Sequence, residues 1–393
     1  MSKNYDLIVI GGGASGCAAA ITAARNGVKV LILEKEDRLL KKVSLTGNGQ
    51  CNLANSNSII GRFNSSFPNR VFDTVSLERI IDYYESLRLL LIEDNMRWFP
   101  YSKHSATVVN AILSELDLLS IDVKTDCGVN SIKKENDIFI VNDKFNSKYL
   151  LLATGSNATK GTDSLNLAKA LGHKVFDFKP SLTHIYTDTK KIKGLNGIRA
   201  YNCNVKLELD GKIVANSIGD VIFRDYGVSG SAIFDVSVHF ARAKAYKKAA
   251  LILDFLPAFE TTLVDLIDIN KEIKGFFHKS IAKAIMAEAK NTVPYRLAEV
   301  IKNFRLENAT LGPINHAQLA SGGVATDEVS QISLESRLIS NLYFAGEILD
   351  VDGECGGFNL MWAVASGIIV ASHITSKLKL KDTYIPPRFR SED

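Results

Sequence analysis

The residues whose types and spacing point most directly to chemistry are three glycines near the N-terminus. Gly11, Gly13 and Gly16 form a GxGxxG motif between an apolar run and a helix pattern of small residues, and Glu34 follows about 20 positions later. In such motifs the first glycine permits a tight turn, the second lets a pyrophosphate approach the backbone, and the third lets the helix pack on the strand. The acidic residue accepts hydrogen bonds from an adenosine ribose. The residues expected to bind a dinucleotide here are Gly11, Gly13, Ala14, Ser15, Gly16 and Glu34; a glycine-rich turn without a ligand is the alternative.

A second segment, residues 41–52, is too polar and too rich in glycine for a protein core. Its amides and lysines suit a phosphate group or the edge of a polar ring, although a plain surface turn is the alternative. The residues expected to contact a cofactor in this segment are Lys42, Thr46, Gly47, Asn48, Gly49, Cys51 and Asn52.

A third segment, near the C-terminus, repeats the order of strand, glycines and helix. Residues 342–345 are a short apolar run, Gly356 and Gly357 follow, and a long helix pattern begins at Asn359. A helix N-terminus carries about half a positive charge, which would stabilise the anionic N1/C2=O edge of a reduced flavin. The segment therefore favours FAD over NAD, whereas an ordinary connection between strand and helix is the alternative. The residues expected to contact the flavin are Gly346, Glu347, Gly357, Phe358, Asn359 and Leu360.

The elements that position these segments indicate an α/β protein. A buried strand over 5–10, a helix over 14–26 and a strand over 28–33 form a βαβ unit. The patterns up to about residue 180 predict helices over 77–90, 106–118 and 165–171, and strands over 121–125, 129–133, 138–141 and 149–153. After Pro180 the chain becomes rich in strand patterns, at 184–187, 205–209, 212–215, 220–223 and 232–239. Three amphipathic helices follow between 261 and 306, and a strand over 342–345 and a helix over 359–375 return to the first pattern.

These changes of pattern predict a Rossmann-like FAD-binding domain that is interrupted by two inserts. The predicted boundaries are 1–181 and 319–393 for the FAD-binding domain, 182–255 for a β-barrel-like insert, and 256–318 for a small helical insert.

Composition excludes several classes of protein. The chain has 393 residues, enough for two or three domains, and 47 Lys and Arg against 43 Asp and Glu. This balance, without a basic stretch rich in aromatic residues, gives no indication of a nucleic-acid partner. Five cysteines without a CxxC pair argue against a zinc site or a disulfide framework, and no uncharged apolar stretch reaches the roughly 18 residues of a membrane helix. We therefore expect a cytoplasmic protein without a bound metal, a nucleic-acid partner or a membrane contact.

Six segments of the chain resemble, in order, the bacterial three-domain NAD(P)/FAD-dependent oxidoreductases of the BaiN type, which include aminoacetone-oxidase-like proteins. The segments are VIGGGASG (9–16), TGNGQCN (46–52), LATG (152–155), DYGVSG (225–230), ASGGV (320–324), and YFAGEILD (343–350) followed by GGFNL (356–360). The resemblance covers nearly the whole chain, and it implies one FAD in a Rossmann-like domain interrupted by a β-barrel and a helical insert. Further residues expected to contact this cofactor are Lys35, Val129, Ala153, Thr154 and Gly155.

The chain also departs from the pattern of that family. Gln50 stands where the family usually has an arginine, Leu40 where a glycine precedes two lysines, and Cys355 where a threonine is common. Arg224 and Asp225 replace a Thr-His-like pair. Because Gln50 removes a fixed positive charge, any role of that arginine is in doubt here.

Motifs for hydrolases, metalloproteases, ATPases and dithiol-redox proteins are missing from the sequence, so a bound cofactor must supply the difficult chemical step. We expect an FAD-dependent oxidoreductase that acts on a small organic substrate by hydride transfer at flavin N5. Since the chain has one GxGxxG motif, either NAD(P)H docks transiently at the flavin or another donor or oxygen closes the cycle. The alternatives are an oxidase of small amino compounds, a flavin-binding RNA-modifying protein and a flavin sensor. The oligomeric state is left open.

The sequence assigns no catalytic residue. His316 could be a proton donor, but a lone histidine is more often a surface or core residue, and the same holds for His104 and His184. Tyr226 and Arg224 either face the substrate or are structural.

The cysteines leave a similar choice. Cys51 and Cys355 both fall in segments expected at the flavin, where they could form a redox pair. Two small buried residues that never meet are the simpler interpretation, and Cys17 fits packing of the first helix.

Overall fold

The structure, a computed structural model, describes residues 4–158, 164–270 and 272–380. The chain divides into two compact units, which we call the first unit (Met1–Phe178 with Gly322–Asp393) and the second unit (Lys179–Ser321). The chain passes from one unit to the other at 178/179 and at 321/322, close to the predicted borders at 181/182 and 318/319. The finer border at 255/256 stays a prediction, and residues 381–393 of the last predicted segment lie outside the described residues.

From residue 4 to residue 181, the chain forms both strands and helices. The elements are β1 (Asn4–Ile10), α1 (Ala14–Arg25), β2 (Val30–Leu33), β3 (Ala54–Asn55), α2 (Phe67–Thr74), α3 (Leu77–Ser86), β4 (Leu91–Asp94), β5 (Arg97–Pro100), α4 (Ser105–Leu118), β6 (Asp122–Lys124), β7 (Ile132–Glu135), β8 (Ile138–Val141), β9 (Phe145–Leu152), α5 (Asn166–Ala170) and β10 (Val175–Ser181), with a 3-10 helix at Val43–Gly49.

The rest of the described chain first forms a region rich in strands and then returns to a strand and a long helix. The elements are β11 (Ile185–Tyr186), β12 (Arg199–Leu209), β13 (Lys212–Arg224), β14 (Gly227–Ser229), α6 (Ser231–Arg242), β15 (Ala249–Asp254), α7 (Leu263–Asn270), α8 (Lys279–Ala289), α9 (Pro294–Lys302), β16 (Phe304–Leu306), β17 (Thr310–Leu311), β18 (Leu319–Val324), β19 (Leu342–Phe344) and α10 (Phe358–Lys377). Short 3-10 helices lie at Lys190–Ile192, Ile314–His316, Thr326–Glu328 and Gly346–Ile348.

The first unit is built on a seven-stranded sheet in the order β6-β2-β1-β9-β8-β7, with β19 also paired to β9. Strands β6, β2, β1, β9 and β19 are parallel to their neighbours, whereas β8 is antiparallel to both β7 and β9. Residues 7–10 of β1 are almost completely buried. A strand that is apolar on both faces is typical of a parallel sheet covered on both sides, as the continuous apolar run predicts. The predicted α/β fold with a Rossmann-type domain is confirmed.

Helix α10 packs closely against α1. A Cβ added to Gly367 of α10 would lie 2.3 Å from the carbonyl oxygen of Ser15 and 2.9 Å from the amide nitrogen of Ala19, so this glycine permits the contact. Among the described helices, α10 is the one long and apolar enough to cross a membrane, so the expectation that no uncharged apolar stretch reaches that length was wrong: residues 355–376 contain no Asp, Glu, Lys or Arg. However, 72% of the apolar stretch of α10 is buried inside the protein. Its apolar character is therefore that of a core helix.

The second unit has its own sheet and its own apolar core. The strand order is β16-β15-β12-β13-β14-β11-β17, and neighbouring strands pair antiparallel. The insert predicted as β-barrel-like contributes β11 to β15 of this sheet. The three predicted helices are α7, α8 and α9, and Pro294 is the first residue of α9, where a missing N–H costs nothing.

Several predicted elements were wrong. Residues 232–239 were assigned to a strand, but they belong to helix α6, because the buried Ala232, Ile233, Val236 and Phe240 recur at helical spacing. The predicted strands 212–215 and 220–223 are one strand, β13. The strand predicted over 129–133 begins instead at Ile132. Helix α2, the small sheet β3-β5-β4 and strand β15 were not predicted.

Candidate cofactor-binding site

The predicted site segments lie where parallel strands of the first unit end. Ile10 of β1 is in register with Leu33 of β2 and with Leu152 of β9, and Leu152 is in register with Phe344 of β19. The next residue of each strand is therefore a member of a predicted segment: Gly11, Glu34, Ala153 and Ala345. In open parallel sheets, ligands bind outside the carboxyl ends of the strands. The sheet thus brings four distant stretches of sequence to one edge.

The glycine-rich turn joins β1 to α1. Gly11 has a φ of +106°, and a Cβ there would lie 2.4 Å from the carbonyl oxygen of Ala153. A Cβ on Gly16 would lie 2.0 Å from the carbonyl oxygen of Gly11. Both glycines are therefore required by neighbouring backbone.

Gly13 differs from those two glycines. It is the N-cap of α1 with an extended backbone, and a Cβ there would meet nothing within 4 Å. The amides of Gly13, Ala14 and Ser15 donate to no acceptor within the described part of the chain. The open space and the free N–H groups at a helix N-terminus suit an anion such as a pyrophosphate.

Glu34 is held in place by two backbone amides. Its Oε2 accepts a hydrogen bond of 2.7 Å from Gly12, and its Oε1 accepts one of 3.0 Å from Glu36. Each carboxylate oxygen has a further lone pair for a ribose hydroxyl. The next residue, Lys35, is exposed. The amide of Cys127 donates a hydrogen bond to the carbonyl oxygen of Glu34, and Val129 follows Cys127 by two residues.

Glu347 joins three of the predicted segments. Its Oε2 accepts a hydrogen bond of 2.5 Å from Lys42 Nζ, and its Oε1 accepts one of 2.8 Å from Ser156 Oγ. Lys42 belongs to the polar segment, Ser156 follows the LATG segment, and Glu347 follows β19. Lys42 thus pairs with a carboxylate of the protein, and its contact with a phosphate or a polar ring stays a prediction.

Ser156 was not predicted, although its hydroxyl reaches Glu347. It lies one residue beyond the LATG segment, so the signal that could have found it is its position after a strand end. Gly155, with a φ of +65°, makes the turn before it. The Oγ1 of Thr154 is buried and has no hydrogen-bond partner among the residues the structure describes.

The polar segment folds as a 3-10 helix, Val43–Gly49, and then continues without regular structure to strand β3. Thr46 uses its hydroxyl within the segment, donating to the carbonyl oxygen of Val43 at 2.8 Å, and Gly49 has a φ of +87°. Gly47 and Asn48 belong to the helix, and the side chain of Asn48 lies outside the described part of the chain. The segment then reaches the start of α10, because a Cβ on Gly357 would lie 2.6 Å from Asn52 Oδ1.

The N-terminus of α10 is the second helix end at this edge. Gly357 is its N-cap, with a φ of +102°, and the amides of Phe358, Asn359 and Leu360 donate to no described residue. The side chain of Phe358 is buried in the core. The side chain of Asn359 makes hydrogen bonds to the preceding loop. Its Nδ2 donates to the carbonyl oxygens of Gly353 and Glu354, and its Oδ1 accepts from the amide of Gly353. A contact between Asn359 and the flavin would therefore come from its backbone.

The cysteines at this edge show no disulfide. Cys51 is completely buried, and burial raises the pKa of its thiol to about 11, so the thiol is protonated near neutral pH. Cys17 is buried in α1, and its Sγ lies 3.5 Å from the carbonyl oxygen of Gly12, as packing of that helix predicts. His104 is the exposed N-cap of α4, while His184, Tyr226 and His316 belong to the second unit.

The first unit fits FAD on two observations. Gly13 leaves space that the protein does not fill, beside free amides. The buried Oδ1 of Asn52, next to the start of α10, has no hydrogen-bond partner among the described residues, and a ring N–H such as flavin N3–H could satisfy it. The residues therefore offer acceptors and donors for both a pyrophosphate and a polar ring.

Comparison with known proteins identifies the family. The family model described as "HI0933-like protein Rossmann domain" matches residues 5–373. The chain is 29% identical to a 3-dehydro-bile acid delta(4,6)-reductase of Clostridium scindens, over 92% of this chain and 97% of that protein. It is 25% identical to a ribosomal RNA dihydrouridine synthase of Haemophilus influenzae, over 95% of this chain and all of that protein.

Among solved structures, the chain is similar to the open conformation of a flavocytochrome c3 fumarate reductase. The TM-score is 0.51 at 13% identity, over 95% of this chain and 78% of that one. At this identity the likeness concerns the fold alone.

Proposed function

We propose, on the premise that this chain belongs to the HI0933-like Rossmann-domain family and is an FAD-dependent oxidoreductase, that it reduces a carbon–carbon double bond conjugated to a carbonyl group. The proposed substrate is a small ring compound, and NAD(P)H is the proposed donor of electrons. An oxidase of small amino compounds and a flavin sensor are the other outcomes of the test below.

The names of two relatives support the reaction class. A delta(4,6)-reductase of a 3-dehydro-bile acid acts on double bonds that are conjugated to the C3 carbonyl. A dihydrouridine synthase reduces the C5=C6 bond of uracil, which is conjugated to the C4 carbonyl. Both names describe the reduction of a carbon–carbon double bond that is conjugated to a carbonyl group. The substrates differ in size, but the reacting group is the same.

The first unit would hold FAD at both helix N-termini. The amides of Gly13, Ala14 and Ser15 would bind the pyrophosphate, and Glu34 would accept hydrogen bonds from the ribose. The polar segment and the amides at residues 358–360 would bind the flavin ring, where the positive end of α10 favours negative charge on its edge. Bound FAD would supply the hydride at its N5. The Lys42–Glu347 ion pair would keep the segments together and leave the site without a free carboxylate at that point.

One observation supports the cofactor assignment above all others: the ends of β2, β1, β9 and β19 are aligned in register. This alignment supports a cofactor site here, because Gly11, Glu34, Ala153 and Ala345 directly follow the four strand ends and such folds bind dinucleotides at this edge of the sheet. An isolated GxGxxG motif would not distinguish a cofactor site from a glycine-rich turn.

The experiment that tests the proposal uses the purified full-length protein. We expect it to release FAD on denaturation and to convert 4-androstene-3,17-dione, with NADH or NADPH in the absence of oxygen, to a product two hydrogens heavier by mass spectrometry. Release of FMN alone, or of no flavin, would contradict the cofactor. A reduced flavin that is reoxidised by oxygen but by no unsaturated ketone would favour the oxidase.

A second function, modification of ribosomal RNA, is favoured by two relatives of that name, from Haemophilus influenzae and from Escherichia coli. Residues 179–321 contain 20 Lys and Arg against 14 Asp and Glu, a net charge of +6, although the whole chain has only +4. A basic unit would attract phosphates. The discriminating assay incubates the reduced protein with unmodified ribosomal RNA and measures dihydrouridine; a yield no higher than that of a Gly13→Val control would exclude this function.

A further inference from the structure

The second unit contains a cluster of four rings that the sequence separates widely. The ring centroid of His184 lies 5.1 Å from that of Tyr186, 4.8 Å from that of Tyr226 and 6.1 Å from that of His316. The rings of Tyr186 and Tyr226 are 5.4 Å apart and nearly perpendicular. We call these four residues the imidazole–phenol cluster.

The sheet of the second unit places the cluster. Strand β11 lies between β14 and β17, and Tyr186 pairs with Gly227 on one side and with Thr310 on the other. Tyr226 therefore enters from the residue before β14, and His316 from the 3-10 helix that follows β17. The arrangement depends on the fold and not on a local motif.

A glycine makes room for the innermost ring. A Cβ on Gly312 would lie 2.5 Å from Nε2 and 2.7 Å from Cε1 of His184, so the imidazole rests directly on the backbone at this residue. The backbone at Gly312 thereby restricts the position of the His184 side chain on one side. The rings of Tyr186, Tyr226 and His316 lie around it on the others.

The polar atoms of the cluster are available to a ligand. Within the described part of the chain, neither imidazole and neither phenol hydroxyl has a hydrogen-bond partner. His184 is 9% exposed, Tyr186 is half-buried, and Tyr226 and His316 are exposed, so the cluster is closed at one end and open at the other. A buried imidazole normally finds a partner.

The side chains of His184 and Tyr226 are uncharged and can donate hydrogen bonds. Burial lowers the pKa of His184, and the nearby His316 acts in the same direction, so His184 is neutral at pH 7. Burial raises the pKa of Tyr226, so its hydroxyl keeps its proton. Donors of this kind bind a carbonyl oxygen, and the faces of the two tyrosines bind a flat ring.

We propose that the imidazole–phenol cluster of the second unit binds a flat ring compound that bears a carbonyl group, with His316 and Tyr226 as hydrogen-bond donors to the carbonyl oxygen. The inference rests on the proposed function, because an unsaturated ring ketone is the substrate class named there. His184 is a positioning residue that orients His316 and Tyr226 through ring contacts.

The test measures binding and turnover separately in the flavin-loaded protein. Equilibrium binding of 4-androstene-3,17-dione to the oxidised protein is measured by calorimetry, and its reduction is followed by mass spectrometry. We expect His316→Gln and Tyr226→Phe each to weaken dione binding about tenfold, the loss of one hydrogen bond near the upper end of the usual range. Gly312→Ala substitutes none of the four cluster residues but would displace the His184 ring. It should weaken dione binding similarly, without loss of FAD.

His239 and Tyr295 provide matched controls, since both are exposed on helices of the same unit outside the cluster. His239→Gln and Tyr295→Phe should bind the dione as the wild type does. The amount of bound FAD and the rate of its reduction by NADPH are measured in every variant, so that a folding defect is recognised.

The outcomes separate this inference from the proposed function. Unchanged dione binding in the His316→Gln, Tyr226→Phe and Gly312→Ala variants would overturn the inference and leave the reductase untouched. Binding that depends on the cluster without any reduction of the dione would instead overturn the proposed reaction. A wild type that binds neither the dione nor uridine would overturn the inference, and one that binds uridine alone would also overturn it in favour of the RNA substrate.

Discussion

Helices α1 and α10 both begin at a glycine near the edge of the same parallel sheet, but the two glycines are needed for different reasons. At Gly357 the backbone has a φ of +102°, and a Cβ would lie 2.6 Å from Asn52 Oδ1 and 2.9 Å from the carbonyl oxygen of Ala54. At Gly13 the backbone is extended, and a Cβ would meet nothing within 4 Å. The protein itself requires the first glycine but not the second.

The difference teaches how a glycine can indicate a ligand. A glycine that neighbouring atoms require is explained by folding. A glycine in open space beside free amides has no such explanation, which supports a ligand that needs the space. The four predictions below test this distinction, from the largest expected effect to the smallest.

The largest effect is expected at Gly13. Gly13→Val should abolish retention of FAD through gel filtration, because the new side chain would occupy the place of the pyrophosphate. The free energy of unfolding of the cofactor-free protein should change by no more than about 1 kcal/mol, the cost of valine at an N-cap, since a Cβ at this position meets no protein atom within 4 Å. Chemical denaturation and the flavin absorption of the eluted protein measure the two quantities.

Gly16 is the matched control within the same motif. Gly16→Val places a Cβ 2.0 Å from the carbonyl oxygen of Gly11, so it should destabilise the cofactor-free protein. A Gly13→Val protein that elutes with a full complement of FAD would mean that this turn is not the binding site.

The next effect is expected at Gly357, on stability. Gly357→Ala should lower the free energy of unfolding by about 2–4 kcal/mol, the sum of a left-handed backbone and an overpacked contact. The measurement is denaturation of the cofactor-free protein. A stability equal to that of the wild type would mean that the protein does not require Gly357, as it does not require Gly13. That result would contradict the proposed difference between the two glycines.

The sequence predicted the βαβ unit and the strand β19 of the first unit better than the strand-rich part of the second unit, for a physical reason. In the first unit, buried parallel strands and glycines leave strong local signals, so residues 5–10, 14–26 and 342–345 were placed almost correctly. In the second unit, residues 232–239 are rich in Val and Ile, whose preference for strands was outweighed by their packing on the antiparallel sheet as helix α6.

Side-chain partners were harder to predict than elements. Lys42 suited a phosphate by charge alone, and its pairing with Glu347 depends on a contact across 305 residues of sequence. Asn359 was placed correctly at the start of a helix, but the loop that occupies its amide group could not be foreseen. The imidazole–phenol cluster left no motif, because β11, β14 and β17 bring its members together only in the folded sheet.

A third effect concerns Glu34 at the α1 side of the site. Glu34→Ala removes a carboxylate proposed to hold the ribose, and charge-assisted hydrogen bonds of about 1.5–3 kcal/mol should be lost. FAD affinity should therefore fall on the order of tenfold to a hundredfold, while the flavin potential stays unchanged. Glu34→Gln, which keeps the shape, should fall between the wild type and Glu34→Ala in a flavin titration. Equal FAD affinity in the wild type, Glu34→Ala and Glu34→Gln would mean that Glu34 does not bind the cofactor.

The smallest effect compares the two helix ends at equivalent positions. Ser15 in α1 and Asn359 in α10 are each the second residue of their helix. If α10 faces the flavin, Asn359→Asp adds a negative charge near the edge that becomes anionic on reduction, at a cost of about 1 kcal/mol. For a two-electron couple this corresponds to a potential lower by about 20 mV. Aspartate keeps the Oδ1 that accepts from Gly353 but loses the Nδ2 that donates to the carbonyl oxygens of Gly353 and Glu354, so oxidised FAD should still bind, at a modest cost in affinity. Ser15→Asp adds the same charge beside the proposed pyrophosphate site, so it should weaken FAD binding and leave the potential of the remaining bound flavin in place. Redox titration of both variants would show the orientation of the cofactor to be reversed if Ser15→Asp shifted the potential and Asn359→Asp did not.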